Sequence, residues 1–436
     1  FAITLFHDEV EAALGQIEAR MDAWFLDGFA PARNSAMWSQ PVLDAVGRLS
    51  APGARVGTFT VAGFVRRGLA EAGFQVSKQP GFGRKRERLE AIFPGQPEPE
   101  ITPPHRVAII GAGIAGASLA HALTLRGCEP VLVDPAGLAG GASGAPAGLL
   151  TPRLERADRP HVRATLAAFD FARRLYAAFS EYWEEGVTRL PKDEAEATRF
   201  AGIADLMDES VVWEGKALDL VNSGRFLPAG LVARLAGDTP CIQAHVAQVE
   251  ADAAGCRLVD PDGETVLEAD CVIHASGAGA ASVFPDISSS AGQLAVFRGQ
   301  PPERPITWGH YVCAAPQGVL VGATHVRGDD AGPAGPAIES FRQAAARHCP
   351  DVKLGDPELS WAGIRASTPD RLPVVGALAE RVHILSGLGS RGFAHAPLLA
   401  EHLAARLCGQ AGAIERSAAH SLSPHRFEER RRRREG

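Results

Sequence analysis

The chain has 436 residues, of which 46% are hydrophobic and 22% are charged, and its formal net charge is −7. This length accommodates two or three domains, and the composition is typical of a soluble globular protein. The negative charge excludes a uniformly basic nucleic-acid-binding surface but leaves room for local basic clusters. Seven scattered cysteines without a C-x-x-C pair favour reduced thiols in the cytoplasm over disulfides or a zinc site.

The first ninety residues alternate between short apolar runs and amphipathic stretches, which predicts a parallel α/β sheet. The predicted order is a strand at 2–6, a helix at 8–20, a strand at 23–26, a helix at 40–49, a strand at 55–60, a helix at 62–72 and strands near 74–78 and 88–93. Asp27 follows the second strand, where parallel sheets place ligand-binding groups. A carboxylate that only caps the following turn would explain this position equally well.

A proline-rich stretch at 94–104 predicts an extended linker.

Residues 106–134 carry the clearest functional pattern. A β-branched apolar run leads into Gly111, Gly113 and Gly116, in the pattern G-x-G-x-x-G, and then into a helix and a second strand that ends on Asp134. The glycines permit a tight turn, close approach of a pyrophosphate, and close packing of the helix on the strand. The phosphates would lie at the positive end of the helix, and the acid would bind a ribose. We therefore predict a dinucleotide site rather than an unliganded turn or a membrane span.

Later glycine turns point to the same ligand. The small residues of 137–154 predict backbone packed against a flat ligand, and a buried strand runs into another turn at Gly277. At 387–407 a glycine turn opens an amphipathic helix. Its N-terminus, with Ser390 and Arg391, is well placed to stabilise a developing negative charge.

Other segments predict structure rather than chemistry. Residues 161–185 predict a helix whose aromatic stripe belongs to the core rather than to a cofactor site. The stripe consists of Phe169, Tyr176, Phe179 and Trp183. Residues 211–330 predict mainly strands, and the arginine-rich stretch at 425–436 predicts a solvated or frayed terminus.

Several motifs in residues 106–420 resemble the glycine oxidase and D-amino-acid oxidase group of FAD-dependent enzymes. They are GAGIAG with its acid at 134, HASG at 274–277 and WAGIRASTPDRLPVVG at 361–376. The resemblance becomes more specific with two motifs ahead of the linker, WFLDGFAPARNSAMW (24–38) and GFGRKRERL (81–89). With GASGAPAGLLTPRL and LSGLGSRGFAHAPL, they make the whole chain similar to the bifunctional tRNA 5-methylaminomethyl-2-thiouridine biosynthesis protein (MnmC) family.

The resemblance implies two activities on the wobble uridine of certain tRNAs. The FAD domain removes the carboxymethyl group from 5-carboxymethylaminomethyl-uridine, and a methyltransferase domain then methylates the exposed amine from S-adenosylmethionine. Arg365 matches the position at which the oxidase relatives hold a substrate carboxylate, and a planar guanidinium suits that role. The alternative is a structural ion pair, for example with Asp370.

The implied fold class is α/β, a partial class I methyltransferase sheet followed by a two-lobed FAD-dependent oxidoreductase. The expected domains are the methyltransferase part (1–93), the linker (94–105), the oxidoreductase (106–425) and a basic tail (426–436). Within the oxidoreductase we expect a Rossmann-type FAD-binding lobe at about 106–160, 225–285 and 358–420, and an α+β substrate lobe at about 161–224 and 286–357.

The methyltransferase part departs from the family pattern. The sequence enters at what corresponds to the third strand, without the glycine-rich loop and ribose-binding acid that hold S-adenosylmethionine in class I enzymes. We therefore expect methyl transfer by this chain to be lost or weak. Asp27 matches the active-site acid of the family's D-G-F-A-P motif, and Asp8 is a candidate acid near the adenine.

The resemblance and the glycine pattern together assign the site residues. FAD is expected at Gly111, Gly113, Gly116, Asp134, Gly141, Ser143, Gly144, Gly277, Gly389, Ser390, Arg391 and Gly392. The tRNA is expected at three basic clusters, which are Arg84, Lys85, Arg86 and Arg88; Arg153, Arg156, Arg159 and Arg163; and 430–434. We expect a cytoplasmic enzyme with no metal, no membrane contact and no obligate protein partner.

Two alternatives remain open. A small-molecule glycine or sarcosine oxidase would explain residues 106–420 equally well, but it gives no role to 1–93 or to the basic clusters. A tRNA-binding module with a vestigial flavin site would explain the clusters, but the intact glycine motifs count against it.

Overall fold

The computed structural model describes residues 3–81, 83, 85–96 and 102–435. They form two compact units. The N-terminal unit comprises the residues up to 103 together with 405–417, and the C-terminal unit comprises 104–404 together with the residues from 418 onward.

The N-terminal unit is built on a four-stranded sheet. In chain order its described elements are α1 (Val10–Gly15), β1 (Met21–Leu26), α2 (Gln40–Arg48), β2 (Ser50–Thr58), α3 (Gly63–Glu71), β3 (Gln75–Pro80) and β4 (Glu87–Ile92). The strand order is β1-β2-β4-β3. β1 and β2 are parallel, whereas β4 is antiparallel to both of its neighbours. The prediction of a parallel sheet is therefore wrong for the second half, because 81–86 is too short for the crossover that a parallel pair needs.

Helices α2 and α3 each bury one apolar face against this sheet. Leu43 of α2 and Val65 and Leu69 of α3 are at most 1% exposed, which follows from the helical spacing of their apolar residues. Burial of each such side chain stabilises the unit by roughly 1.5–3 kcal/mol. The predicted strand at 2–6 is absent from its described residues. Ile3 and Leu5 are 81% and 73% exposed, so no core contact holds that segment in a strand.

The rest of the described chain contains many short strands and eight helices. In chain order they are β5 (Arg106–Ile110), α4 (Ile114–Thr124), β6 (Glu129–Val133), β7 (Gly148–Leu150), α5 (Pro160–Tyr176), β8 (Tyr182–Trp183), β9 (Val187–Arg189), α6 (Glu194–Ala204), β10 (Val211–Trp213), β11 (Leu218–Leu220), β12 (Gly224–Phe226), α7 (Pro228–Ala236), β13 (Cys241–Ile242), β14 (Gln248–Ala251), β15 (Cys256–Val259), β16 (Thr265–Ala269), β17 (Cys271–His274), β18 (Ser288–Phe297), β19 (Ile306–Thr307), β20 (Tyr311–Ala315), β21 (Gly318–Gly322), β22 (Val326–Arg327), α8 (Ala334–His348), β23 (Pro357–Ser367), β24 (Val374–Ala379), β25 (Val382–Ser386), α9 (Gly392–Leu407), α10 (Arg416–Leu422) and α11 (Arg426–Glu435).

A six-stranded sheet in the order β13-β6-β5-β17-β25-β24 forms the first lobe of the C-terminal unit. Its first five strands are parallel, and only β24 runs antiparallel to its neighbour. The central strand β5 buries Val107, Ala108 and Ile109 completely, as expected for a parallel strand covered on both faces. The expected Rossmann-type lobe is confirmed.

A nine-stranded mixed sheet forms the second lobe. Its order is β10-β11-β9-β19-β20-β21-β18-β22, and β23 pairs with β18. The long antiparallel pair β18–β23 runs from Ser288 opposite Ser367 to Phe297 opposite Pro357. Small antiparallel sheets, β7-β12-β8 and β14-β15-β16, complete the described strands. The α/β fold class is confirmed.

Two predictions for the helices need correction. The helix predicted at 161–185 ends at Tyr176, and Trp183 lies in strand β8. The core interpretation of the aromatic stripe is confirmed for Phe169 and Tyr176, which are buried; the Tyr176 hydroxyl donates to Phe393 O at 2.8 Å.

The basic segment at the C-terminal end is a helix rather than a frayed terminus. Arg426 of α11 is 3% exposed and binds Asp370 at 3.0 Å, while Phe427 packs against Phe284 with ring centroids 6.0 Å apart. An ion pair and a buried ring therefore fix this helix. Among the described residues, no helix combines the length and apolarity that a membrane crossing requires.

Candidate active site

A cavity of about 910 Å³ lies in the C-terminal unit, where the glycine turns after β5, β17 and β25 meet the second lobe. It is lined by every residue predicted to bind FAD except Gly116 and Gly144. Both exceptions have a packing role instead. A Cβ on Gly116 would lie 1.9 Å from Gly111 O, and one on Gly144 would lie 2.5 Å from Ala139 O.

The first glycine turn has little tolerance for side chains. Gly111 has φ +109°, and a Cβ there would come within 2.4 Å of Ala275 O. At Gly113, which precedes helix α4, a Cβ would lie 3.0 Å from the hydroxyl of Ser143. That hydroxyl accepts a hydrogen bond from Ile114 N at 3.0 Å. Ser143 therefore joins the second glycine loop to the helix N-terminus.

The same turn presents groups that fit a dinucleotide. The backbone N–H groups of Gly113 and Ala115 find no acceptor among the described residues, and they lie at the positive end of α4. The carboxylate of Asp134 accepts hydrogen bonds from Ala112 N and Ala136 N, both at 2.9 Å. It still lines the cavity and keeps lone pairs for ribose hydroxyls. The cradle fits the phosphates and a ribose of FAD.

Arg365 lines the cavity from the second lobe, on β23. The strand register places it opposite Ser290, and its Nη1 donates to Thr324 O at 3.3 Å. Gly292 makes room for the guanidinium, because a Cβ there would come within 2.3 Å of Nη1. Burial lowers the pKa of Arg365 from its usual value.

The alternative ion pair between Arg365 and Asp370 is wrong. Asp370 is taken by Arg426 at 3.0 Å and by Arg430 at 2.6 Å. No carboxylate of the described chain pairs with Arg365, so its charge faces the cavity uncompensated.

A second set of charged side chains lines the cavity, and it is not predicted from the sequence. It consists of Arg189, Lys192, Glu196 and Arg199. Burial, together with the charge of Arg391, lowers the pKa of Arg189 to about 10. Arg189 ends a strand of three residues and belongs to no motif, so no local signal could have identified it.

The turn before α9 brings polar atoms into a buried corner. Arg391 lines the cavity, yet its Nε is buried without a hydrogen-bond partner among the described residues. One turn later both ring nitrogens of His395 are equally unpaired. Burial and the charges of Arg391 and Arg153 lower the pKa of His395 to about 3, so this ring is neutral. Unpaired buried donors fit a site that a polar ligand completes.

The other predicted site residues do not belong to the wall of this cavity. Asp27 directly follows β1 in the N-terminal unit, where its carboxylate is exposed and makes no hydrogen bond to a described residue. Lys85 and Arg86 are exposed, and Lys85 Nζ lies 4.0 Å from the ring centroid of Phe59. Arg84 lies outside the described residues. Arg153 binds Glu155 at 2.7 Å and does not line the cavity.

Two family models match the chain. Residues 106–406 match the FAD dependent oxidoreductase family, which confirms the cofactor of the cavity, and residues 1–94 match an S-adenosyl-L-methionine-dependent methyltransferase family.

Relatives match along the whole chain. The tRNA 5-methylaminomethyl-2-thiouridine biosynthesis bifunctional protein MnmC of Maricaulis maris is 60% identical over 440 residues, which covers 100% of this chain and 75% of the relative. The protein of the same name from Pseudomonas aeruginosa is 33% identical over 98% of this chain and 76% of the relative.

Among solved structures, glycine oxidase from Geobacillus kaustophilus matches with a TM-score of 0.61 and 23% identity, covering 71% of this chain and 96% of that one. Iminodiacetate oxidase from Chelativorans matches with a TM-score of 0.59 and 22% identity, covering 71% and 97%. These two likenesses establish the fold. The identity to the full-length relatives goes further and shows that the chain belongs to the family of the tRNA 5-methylaminomethyl-2-thiouridine biosynthesis bifunctional protein MnmC.

Proposed function

We propose that the C-terminal unit oxidises the 5-carboxymethylaminomethyl group on the wobble uridine of tRNA, releasing glyoxylate and leaving an aminomethyl group. The observation that carries this proposal is Arg365, a cation that pairs with no carboxylate of the described chain and lines the same cavity as the dinucleotide cradle. Family membership supports RNA as the carrier of the reacting group.

The reacting arm is a secondary amine bearing a glycine-like carboxylate. FAD held at Gly111, Gly113 and Asp134 would supply the hydride acceptor for the carbon between the nitrogen and the carboxylate. Arg365 is suited to hold the carboxylate in a two-pronged geometry, which orients that carbon. Loss of the hydride leaves an imine of the substrate. Addition of water then splits the C=N bond into a primary amine and glyoxylate.

The surroundings of Arg365 favour an anionic substrate. Arg189, Arg391 and Arg365 all line the cavity, and burial lowers the pKa of each of them from its usual value. All three remain cations at neutral pH. An arm carrying a carboxylate on a nucleotide meets complementary charge at this site.

We further propose that residues 1–94 contribute to methylation of the exposed amine from S-adenosylmethionine. The match to the methyltransferase family supports this second activity. Asp27 is the acid suited to bind the amine, since its exposed carboxylate follows a strand of the parallel pair β1–β2 and makes no hydrogen bond to a described residue.

Basic residues of both units are proposed to contact the phosphates of the tRNA. Lys85 and Arg86 are exposed and make no ion pair with a described residue, and Arg84 and Arg153 complete the proposed set. Because the substrate is tRNA, we place the reaction in the cytoplasm.

The test uses FAD-loaded protein and tRNA that carries the carboxymethylaminomethyl group. Glyoxylate is measured in solution, and the modified nucleosides are identified by mass spectrometry with and without S-adenosylmethionine. We expect aminomethyl-uridine and glyoxylate in equal amounts. A methylaminomethyl product that depends on S-adenosylmethionine would assign the second activity to this chain. A higher kcat/KM on free sarcosine or glycine than on the tRNA would replace the proposal with a small-molecule oxidase.

A further inference from the structure

Two arginine-rich segments that are far apart in the sequence meet in the C-terminal unit. The segment after β7 that runs from Arg153 to His161 in the first turn of α5 lines a second cavity of about 450 Å³, and helix α11 lines it as well. Asp370 and His420 also belong to its wall. All of these residues lie in one compact unit, so the cavity is a property of that unit alone.

This second cavity has an excess of positive charge. Its lining includes five arginines and three carboxylates. Asp370 is already bound by Arg426 and Arg430, and Glu155 is bound by Arg153. The arginines that remain, Arg159 and Arg433, are exposed and make no side-chain hydrogen bond or ion pair within the described chain. A concave surface with unpaired guanidinium groups fits a phosphate, which offers several anionic oxygens.

The cations of the second cavity are held on a fixed framework. Arg426 is 3% exposed and Phe427 is 6% exposed. Arg431 adds an ion pair to Asp286 at 3.0 Å. Because α11 is already docked, a ligand would not have to order a flexible tail, which lowers the entropic cost of binding.

The two cavities share structural walls. Thr151 lines the flavin cavity and Arg153 lines the second one, and these residues are at most about 7 Å apart along the chain. Likewise β23 carries Arg365 into the first cavity and continues toward Asp370 in the second. The walls of the two cavities are therefore adjacent at both places, which brings the second cavity within reach of a nucleotide strand whose base enters the first.

We propose that the second cavity binds a phosphodiester of the tRNA whose wobble uridine occupies the flavin cavity. This inference rests on the proposed function. A base can reach an enclosed site only when it is splayed from its loop, and contacts to the neighbouring phosphates then fix the register of the strand. Arg159 and Arg433 supply the unpaired donors, and Arg153 and Arg430 complete the basic wall.

The test compares two charge-matched double variants of the FAD-loaded protein. Arg159→Glu/Arg433→Glu changes the unpaired arginines of the cavity. Arg174→Glu/Arg347→Glu is the control, since both residues are exposed, lie outside the cavity wall and make no ion pair with a described residue. For the first variant we expect the KM for modified tRNA to rise roughly 10- to 100-fold, with a smaller change in kcat. The slope of log affinity against log salt should fall by about 1, as for one lost phosphate contact.

Equal KM values and equal salt slopes for the two double variants would overturn the inference. If the glutamate variant loses FAD or melts early, Arg159→Gln/Arg433→Gln replaces it, and the absence of any rise in KM would have the same meaning. Inorganic phosphate is tested at constant ionic strength. If phosphate inhibits the wild type but not the double variant, and both have the same KM for tRNA, the cavity binds free phosphate and the inference is overturned. Wild-type protein that releases no glyoxylate from modified tRNA would instead refute the proposed function.

Discussion

Both units carry an aspartate directly after a strand of a parallel pair, yet the two carboxylates differ in almost every other respect. Asp134 in the C-terminal unit accepts two backbone hydrogen bonds and lines a cavity of about 910 Å³. Asp27 in the N-terminal unit is exposed and makes no hydrogen bond to a described residue.

The difference shows what a strand-ending acid indicates by itself. Position after a strand places a carboxylate at the ligand-binding edge of a sheet, and this holds for both residues. Asp134 lies beside backbone that has no room for side chains, as at Gly111 in the turn and Gly116 in α4, where a Cβ would meet backbone atoms. At Gly28, next to Asp27, a Cβ would meet the flexible side chain of Met37 instead. Asp134, whose carboxylate is held by hydrogen bonds, therefore belongs to a preformed site. Asp27 can be assigned to a site only through family membership.

The largest expected effect comes from placing a side chain in the glycine turn beside Asp134. In Gly113→Val the new side chain would meet Ser143, since even a Cβ lies 3.0 Å from its hydroxyl, and it would occupy the space of the phosphates. We expect loss of FAD, measured as the ratio of flavin to protein absorbance. Gly335→Ala is the matched control, because nothing lies within 4 Å of a Cβ there. A fully yellow Gly113→Val protein would contradict the assignment of the cradle.

A third aspartate, Asp370, is fixed by side chains rather than by backbone. Asp370→Asn leaves the charge of Arg426, which is 3% exposed, without its main partner. We expect a loss of about 3 kcal/mol in the free energy of unfolding, measured by denaturant titration. Glu358→Gln, which breaks an exposed pair with Arg298, should cost less than about 1 kcal/mol. Equal losses would show that the pair with Arg426 contributes no more than a surface pair.

The same aspartate gives a pH dependence whose direction is defined. Burial opposes ionisation, but the hydrogen bonds and charges of Arg426 and Arg430 lower the pKa of Asp370 to about 2. Since the folded-state pKa lies below the unfolded value, the stabilisation is present above about pH 4 and is lost as the pH falls toward 2. The difference between wild type and Asp370→Asn should therefore shrink over this range. A constant difference down to pH 2 would contradict the lowered pKa.

Arg365→Lys changes a cation that has no carboxylate partner in the part of the chain that the structure describes. Lysine keeps the charge but loses the two-pronged geometry, so we expect kcat/KM on modified tRNA to fall by roughly one to two decades, or about 2–3 kcal/mol. The flavin spectrum should stay unchanged. If the variant has wild-type kinetics, Arg365 does not bind the substrate.

The smallest effect tests the comparison of the two strand-ending acids directly. Asp134→Asn loses one of two anionic acceptors and should weaken FAD binding by about 1–2 kcal/mol, or roughly tenfold. Asp27→Asn should leave FAD affinity unchanged and affect only methyl transfer. Titration of the flavin-free proteins with FAD measures both, and equal FAD affinities for the two variants would abolish the distinction.

The sequence could predict those parts of the fold that depend on local pattern. The turn from Gly111 to Asp134 is one continuous segment, so its strand, helix and acid could all be predicted. The partner of Asp370 could not, because Arg426 lies 56 residues away and reaches it only through the docking of α11. Arg189 joins the cavity by the pairing of a three-residue strand in a large sheet, and no local pattern records that.

The flavin cavity is assembled from turns that lie as far apart as Gly111 and Gly392 in the sequence. FAD can therefore bind tightly only to a chain whose lobe has already folded, and by mass action its binding opposes unfolding. At a free concentration of 100 times its Kd, FAD adds about 2.7 kcal/mol to stability. We expect the lifetime of this protein against cellular proteases to follow the supply of flavin, and cells short of riboflavin to lose the protein as well as its cofactor.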